Sequence, residues 1–323
     1  MQIISARNVN EALLLGLHSV DQYGSLRDSR NGPVKVFQTP VTTIYEKPNE
    51  RVLFYPERDA NPFFHFMEAL WMIAGRNDVE WISQFNSTIN RYSDDGVTFH
   101  GAYGYRWRKH FGFDQLDVIA HLLRQNPDDR RIVLQMWDPR VDLARGGKDF
   151  PCNTAAKFRV RDGHLDMTVE NRSNDMIWGA YGANAVHFSM LQEFMAGWIG
   201  VPLGHYWQVS TNFHSYVDTM NKHSDLLKLS PGFDDYSLGN VEPYPMVNTN
   251  IETWMQELEM FMSEGAVMGF QDNFFKKVAV PMLLSWQAYK NKEYGKAMSI
   301  LTENCVATDW RKAGVEWLER RAK

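Results

Sequence analysis

Asp149-Phe150-Pro151-Cys152-Asn153, with Arg130-Arg131 before it and Arg172-Ser173-Asn174-Asp175 after it, is the stretch on which the reading of this chain turns. A thiol attacks as its thiolate, so a free pKa of about 8.5 must be lowered by nearby positive charge or donors before the group is useful at neutral pH. Three guanidiniums close in sequence are suited to supply that charge, and equally to hold a phosphate. A cysteine after a proline is by itself more often a buried small hydrophobe. The flanking arginine motifs favour a reagent.

Composition narrows the classes. With 323 residues, 44% hydrophobic and 23% charged, the chain has ample material for a globular core. A net charge of −5 argues against a general nucleic-acid binder, which needs a basic face, and leaves room for a local anion pocket. Two cysteines, Cys152 and Cys305, with no CxxC pair, exclude a disulfide framework and a thiol zinc site. No metal constellation stands out. Met1-Gln2-Ile3-Ile4-Ser5-Ala6-Arg7 does not read as a signal peptide, and no apolar run reaches the roughly 18 residues of a spanning helix. A cytoplasmic protein with no membrane contact is expected.

Leu13 to Val20 have helical spacing, and Asp28-Ser29-Arg30-Asn31-Gly32-Pro33 breaks it. Val34–Phe37, Val41–Tyr45 and Val52–Tyr55 read as short strands, as does Ile132–Trp137. Asn61-Pro62 to Gly75 reads as a helix buried on most faces. Gln115–Leu123 and His187–Trp198 are further helices, the second closed by Gly200. Arg161-Asp162-Gly163-His164 marks a hairpin between Lys157–Val160 and Leu165–Val169. Segments 250–263, 276–290, 293–304 and 309–321 are amphipathic. Trp198, His205 and Trp207 are expected to pack in the core. The pattern predicts an α+β fold, with 246–323 as a helical C-terminal extension packed on residues 1–245.

Glu68 lies among Phe66, Met67, Leu70 and Trp71. Burial disfavours a charged carboxylate, so Glu68 is paired, kept as a proton carrier, or on a wet face. At this point six co-linear segments bear on function: Glu68-Ala69-Leu70-Trp71, Tyr103-Gly104-Tyr105-Arg106-Trp107, Asp129-Arg130-Arg131-Ile132-Val133, Pro151-Cys152, Arg172-Ser173-Asn174-Asp175 with Gly179, and His214-Ser215-Tyr216. Together they resemble the thymidylate synthase and pyrimidine deoxynucleotide hydroxymethylase superfamily, over roughly residues 60 to 225.

The resemblance implies a twisted mixed sheet flanked by helices, with residues 1–245 as the catalytic unit, and a folate-dependent one-carbon transferase with 5,10-methylenetetrahydrofolate as cosubstrate. Cys152 would add to C6 of a pyrimidine and make C5 nucleophilic. Arg172, Ser173, Arg130 and Arg131 resemble the phosphate clamp, the arginine pair crossing from the other subunit of a homodimer, with Arg30 a further phosphate ligand. His214 and Tyr216 would take the 3′-hydroxyl, and Asn171, which stands where relatives carry Gln, belongs to the same nucleotide-binding set. Glu68 and Tyr103 would organise proton transfers, and Asp175 would contact the folate pterin. No direct nucleic-acid partner is implied.

Base choice rests on one side chain. Relatives acting on uracil carry an Asn a few residues beyond the motif glycine, and those acting on cytosine an Asp. Asn184 takes that place in Gly179-Ala180-Tyr181-Gly182-Ala183-Asn184 if one residue is inserted, and Ala183 if none is. Asn153 stands in place of the usual His, Ile89-Asn90-Arg91 replaces a Trp, and Glu319-Arg320-Arg321-Ala322-Lys323 replaces the apolar tail of ordinary thymidylate synthases. A less sealed site favours water over hydride as the trap, so the leading expectation is dUMP hydroxymethylation, similar to enzymes of bacteriophages with modified DNA. A dCMP hydroxymethylase, a dTMP-forming synthase and a catalytically silent nucleotide-binding homologue are the alternatives.

Overall fold

The computed structural model describes Met1–Lys323. Ten strands are present: β1 (Gln2–Ala6), β2 (Ser25–Arg27), β3 (Val34–Val36), β4 (Val41–Tyr45), β5 (Val133–Gln135), β6 (Asn153–Arg161), β7 (His164–Asn171), β8 (Asn174–Asp175), β9 (Leu203–Ser210) and β10 (Phe213–Tyr216). They form a six-stranded mixed sheet, β1-β4-β9-β7-β6-β5, and a four-stranded sheet, β2-β3-β10-β8. The α+β architecture is as the pattern predicts.

Period-two alternation decides which face of the large sheet is covered. Tyr206, Gln208 and Ser210 of β9 and Leu165, Met167 and Val169 of β7 point inward, and the helix Asn184–Ile199, buried on nearly every side, packs across them. Lys157, Arg159 and Arg161 of β6 and the exposed Ile3 of β1 point the other way, where no element of the chain covers them. The predicted hairpin is present: Asp162 (φ 48°) and Gly163 (φ 76°) make the two-residue turn between β6 and β7.

Three expectations are corrected. Val52–Tyr55 is not a strand, because side chains take its backbone groups. Asn10 donates from Nδ2 to the Val52 carbonyl (2.9 Å) and accepts the Phe54 N–H on Oδ1 (3.1 Å), while Val52 N–H goes to the Tyr236 hydroxyl (3.2 Å). The strand Ile132–Trp137 contracts to β5, since Met136 and Trp137 both donate to the single carbonyl of Thr154 and the chain peels away. His205 is exposed and Trp207 only half-buried, their rings 5.4 Å apart on the outer face of β9, so of the three side chains expected in the core only Trp198 is there.

The helix Pro62–Ile73 is capped by Asn61, whose Oδ1 accepts the Phe64 N–H (3.1 Å), with Pro62 at the first position. From Pro62 to Ile73 only Phe64 and Glu68, one turn apart, escape full burial. The helices Ile251–Glu264, Val280–Lys290, Tyr294–Asn304 and Thr308–Arg321 follow in the last third. Trp286 and Trp317 pack on Phe63 (5.5 and 5.6 Å between ring centres), behind the Glu68 stripe. Buried hydrophobic residues from both parts of the chain form one continuous core. No helix is long and apolar enough to cross a membrane.

Replacing Asn10 by Ala leaves the Val52 carbonyl and the Phe54 N–H without partners. The expected loss, read by urea unfolding, is about 2–4 kcal/mol. A loss below about 0.5 kcal/mol would show that water satisfies this segment instead.

Candidate active site

Cys152 enters the site where β6 begins, at a register shift between Asn153 and Ala155 of the kind that re-aims side chains. Its backbone N–H and that of Asn153 both donate to the Tyr103 hydroxyl, at 3.0 and 3.2 Å. Tyr103 comes from the short helix Tyr103–Arg108, drawn close to the Glu68 helix because Gly104 abuts the backbone of Met72, where a Cβ would stand 1.9 Å from the Met72 carbonyl oxygen. Burial pushes the Tyr103 phenol far above its ordinary range, so it remains a neutral hydroxyl.

Arg172 is held over the thiol from the other side. Its Nε donates to the Pro151 carbonyl (2.9 Å), its guanidinium stands over the Trp137 ring (5.4 Å), and Nη2 lies 3.9 Å from Cys152 Sγ. Burial pushes the Cys152 thiol up; Arg172 pulls it down, Asp149 raises it, and Arg30 lowers it. Burial outweighs the two arginines in the free protein.

Two cavities lie near this loop, one reaching it through Tyr103 and Asp149 and the other through Ser173, the neighbour of Arg172, although Cys152 itself lines neither. The smaller, about 410 Å³, is lined by Arg27, Arg30, Asn31, Ser173, His214 and Tyr216 among others. His214 pairs with Asn212 through Nδ1 (3.0 Å), its ring edge-on to Tyr216 (5.4 Å). Two arginines, a serine hydroxyl and a tyrosine form a polar, cationic pocket suited to a phosphorylated sugar. The larger, an open cleft of about 530 Å³, brings together Glu68, Tyr103, Asn184, Asp149 and Trp178. Aromatic and aliphatic walls from Trp71, Ile89, Tyr92 and Phe99, with a few charged groups, suit a flat heteroaromatic ligand.

Asn184 reaches the cleft through an irregular helix. Met176–Ala183 winds as a wide π-type turn, broken at Tyr181 (φ −106°, ψ 23°) and Gly182 (φ −131°, ψ −107°), which is how a helix absorbs one extra residue. Asn153 Nδ2 donates to Asn184 Oδ1 (3.1 Å), which sets Asn184 beside the residue that follows the thiol.

Other predicted residues lie elsewhere. Arg130 and Arg131 are exposed just before β5, Arg131 forked onto Asp129 (2.7 Å at the closest), and neither lines either of these two cavities. Asn171 is buried on β7, contacts the Val209 carbonyl only at 3.4 Å and leaves Oδ1 unpaired; it lines neither cavity. Asp175 caps the Met176–Ala183 turn through the Trp178 N–H (2.6 Å), with Oδ2 buried and unpartnered, and burial pushes its carboxyl up.

Four cleft residues escaped the sequence reading. His187 places Nε2 3.0 Å from Glu68 Oε2, close but not in hydrogen-bond geometry, and His65, held far below its ordinary pKa by burial, meets His187 edge-on (6.5 Å). Arg58 lies buried over the Trp178 ring (4.1 Å), lowered to about 10 by burial. Helical spacing was the available signal for the histidines: His65 precedes Glu68 by one turn and His187 follows Asn184 by one turn. No cluster of three or more His, Cys, Asp or Glu side chains is arranged to hold a metal ion.

Residues 20–239 match the family model for thymidylate synthase. The chain belongs to the thymidylate synthase family. A Pseudomonas phage M6 protein named deoxyuridylate hydroxymethyltransferase is 54% identical, the alignment covering 99% of this chain and 95% of that protein. Proteins of the same name from Bacillus phage SP01 and Delftia phage PhiW-14 are 37% and 32% identical, over 62% and 72% of this chain and 55% and 67% of their own lengths.

Alkylation of the free protein by iodoacetamide is expected to be slow near neutral pH and to accelerate as pH rises through the raised pKa of Cys152. Arg172→Gln removes the charge that opposes burial and moves the rise to higher pH. Cys305, buried and pushed up to about 12, stays unlabelled until the protein unfolds. A Cys152 rate that is flat with pH would refute this assignment.

Proposed function

We propose that this protein converts dUMP to 5-hydroxymethyl-dUMP by transferring a one-carbon unit from 5,10-methylenetetrahydrofolate to C5 of the base. The observation that carries the reading is that the Cys152 loop is clamped by Tyr103 of the aromatic cleft and by Arg172, the neighbour of Ser173 in the cationic pocket, with Asn184 one hydrogen bond from Asn153. The near full-length similarity to a deoxyuridylate hydroxymethyltransferase supports the same reaction.

In this reading Arg30, Arg172 and Ser173 hold the phosphate, joined by Arg130 and Arg131 from the partner of a homodimer. The uncovered face of the six-stranded sheet ends at β5, beside that arginine pair, which supports such a dimer. His214 and Tyr216 take the 3′-hydroxyl, and Asn171 backs the Cys152 loop from β7. Cys152 adds to C6 of the uracil, and the electron pair moves toward C5 and O4. Bound folate supplies a carbon at the formaldehyde oxidation level, held against Trp71, Ile89 and Trp178 with Asp175 beneath them.

Glu68, on its wet stripe and backed by His187, takes part in the proton transfers, and Tyr103 hydrogen-bonds the reacting base. C5 takes up the carbon supplied by folate, and loss of the C5 proton with cleavage of the carbon–nitrogen bond releases tetrahydrofolate and leaves an exocyclic methylene on the nucleotide. Water adds to it, the water's proton passes to the Glu68–His187 pair, and reforming the C5–C6 double bond expels the Cys152 thiolate. The folate is not oxidised on this route. Arg320 and Arg321 pair with Asp59 at the cleft rim (3.2 and 2.8 Å), so these residues do not fold over the opening, consistent with water reaching the intermediate. Residues 246–323 act as a helical extension that braces the Glu68 helix of the 1–245 catalytic unit.

Tritium release from 5-tritiated dUMP and dCMP, with mass spectrometry of the product, tests the reading. Release from dUMP with a gain of about 30 mass units is expected. A gain of about 14 would mean methylation, and release from dCMP alone would overturn the base assignment. Glu68→Gln is expected to slow release about 100-fold or more while nucleotide binding changes little.

A further inference from the structure

We propose that the choice between uracil and cytosine is made by a buried amide relay, Asn153–Asn184–Asn174–Gln208, which makes Asn174 and Gln208 specificity-positioning residues that never touch the nucleotide. The inference rests on the reading above, in which Asn184 faces the base.

The direction of the relay is fixed at one end by a group that can only accept. The Ala180 carbonyl receives the Tyr45 hydroxyl (3.0 Å) and Gln208 Nε2 (3.4 Å), and Gln208 Nε2 also donates to the Tyr206 oxygen (2.9 Å). Gln208 must therefore turn its Oε1 to Asn174, whose Nδ2 donates to it (2.5 Å) and to Ser210 Oγ (3.0 Å). That leaves Asn174 Oδ1 to receive Asn184 Nδ2 (3.0 Å), and Asn184 Oδ1 to receive Asn153 Nδ2 (3.1 Å). All four amides are buried: Asn153 is 0% exposed, Gln208 1%, Asn174 2% and Asn184 8%. Gly179 leaves the space for it, because a Cβ there would stand 2.8 Å from Asn174 Oδ1.

An asparagine alone is a weak discriminator between these bases, because rotating its amide exchanges donor and acceptor. Uracil offers N3–H to an oxygen and O4 to an N–H; cytosine offers the reverse. Flipping Asn184 within this relay would set its NH2 against the NH2 of Asn153 and its oxygen against the oxygen of Asn174. Asn153, whose Oδ1 is otherwise unpaired, is free to turn with it, but Asn174 is tied through Nδ2 to Gln208 and Ser210, so the oxygen–oxygen mispair at Asn174 is the one that holds Asn184. Asn184 is thereby held in the uracil-reading orientation from outside the nucleotide site, by residues of β8 and β9 that belong to different sheets.

The test compares kcat/KM for dUMP and dCMP, read as tritium release, in the full-length protein. Asn174→Ala and Gln208→Leu free the amide, and the dUMP preference is expected to fall roughly 10-fold to 100-fold. Asn174→Asp keeps an acceptor facing Asn184 Nδ2, and the preference is expected to be retained even where overall activity drops. Loss of activity with both bases in equal proportion would be a merely structural effect and would overturn the proposal, as would an unchanged ratio in folded Asn174→Ala or Gln208→Leu protein. Should one of these two fail to fold, the other carries the comparison. Failure of the wild-type protein to act on dUMP would instead refute the proposed function, which separates the two ideas.

Discussion

The orientation of Asn184 depends on the polar groups that lie between the six-stranded sheet and the helix Asn184–Ile199. This layer is almost dry, and an unpaired amide or hydroxyl there costs about 1–3 kcal/mol. Tyr45, Tyr181, Tyr206, Gln208, Ser210 and Asn174 are all buried in it, and each finds a partner. Their hydrogen bonds fix the irregular turn of Met176–Ala183, and that turn fixes Asn184. Polar residues in a core usually weaken it. Here they convert sheet register into the orientation of one amide.

The thiol is positioned by a similar economy. Tyr103 accepts two successive backbone N–H groups of the Cys152 loop, and Arg172 ties back to the carbonyl of Pro151 while its own N–H donates to the carbonyl of Cys152 (2.9 Å). Two long side chains from separate parts of the chain thus clamp the loop through its backbone. The clamp is independent of the thiol's protonation. The same charge that holds the loop also lies close enough to the sulfur to favour its ionised form.

The C-terminal helices have a structural meaning that the family segments do not reveal. Phe63, Trp286 and Trp317 fill the back of the Glu68 helix, and Arg321, stacked on Trp317 at 3.5 Å, reaches Asp59 at the cleft rim. Packing behind the helix leaves only its Phe64 and Glu68 stripe free, and that stripe faces the cleft. A carboxylate in a helix of aromatic residues is accounted for by this one wet face.

Residue chemistry alone announced the family and the α+β class, because those depend on which side chains exist and in what order. The 161–164 turn and the helices were equally legible, since turn chemistry and helical spacing are local. β9 was not, because its inward positions are Tyr206, Gln208 and Ser210, polar groups whose burial is tolerated only by partners distant in sequence. The same holds for Val52–Tyr55, which looks like a strand until Asn10 and Tyr236 claim its backbone groups. Neither the pairing of His187 with Glu68 nor the direction of the amide relay is written in any spacing. Both follow from which groups meet in space, and a buried hydrogen bond has a sign only once its partner is in place.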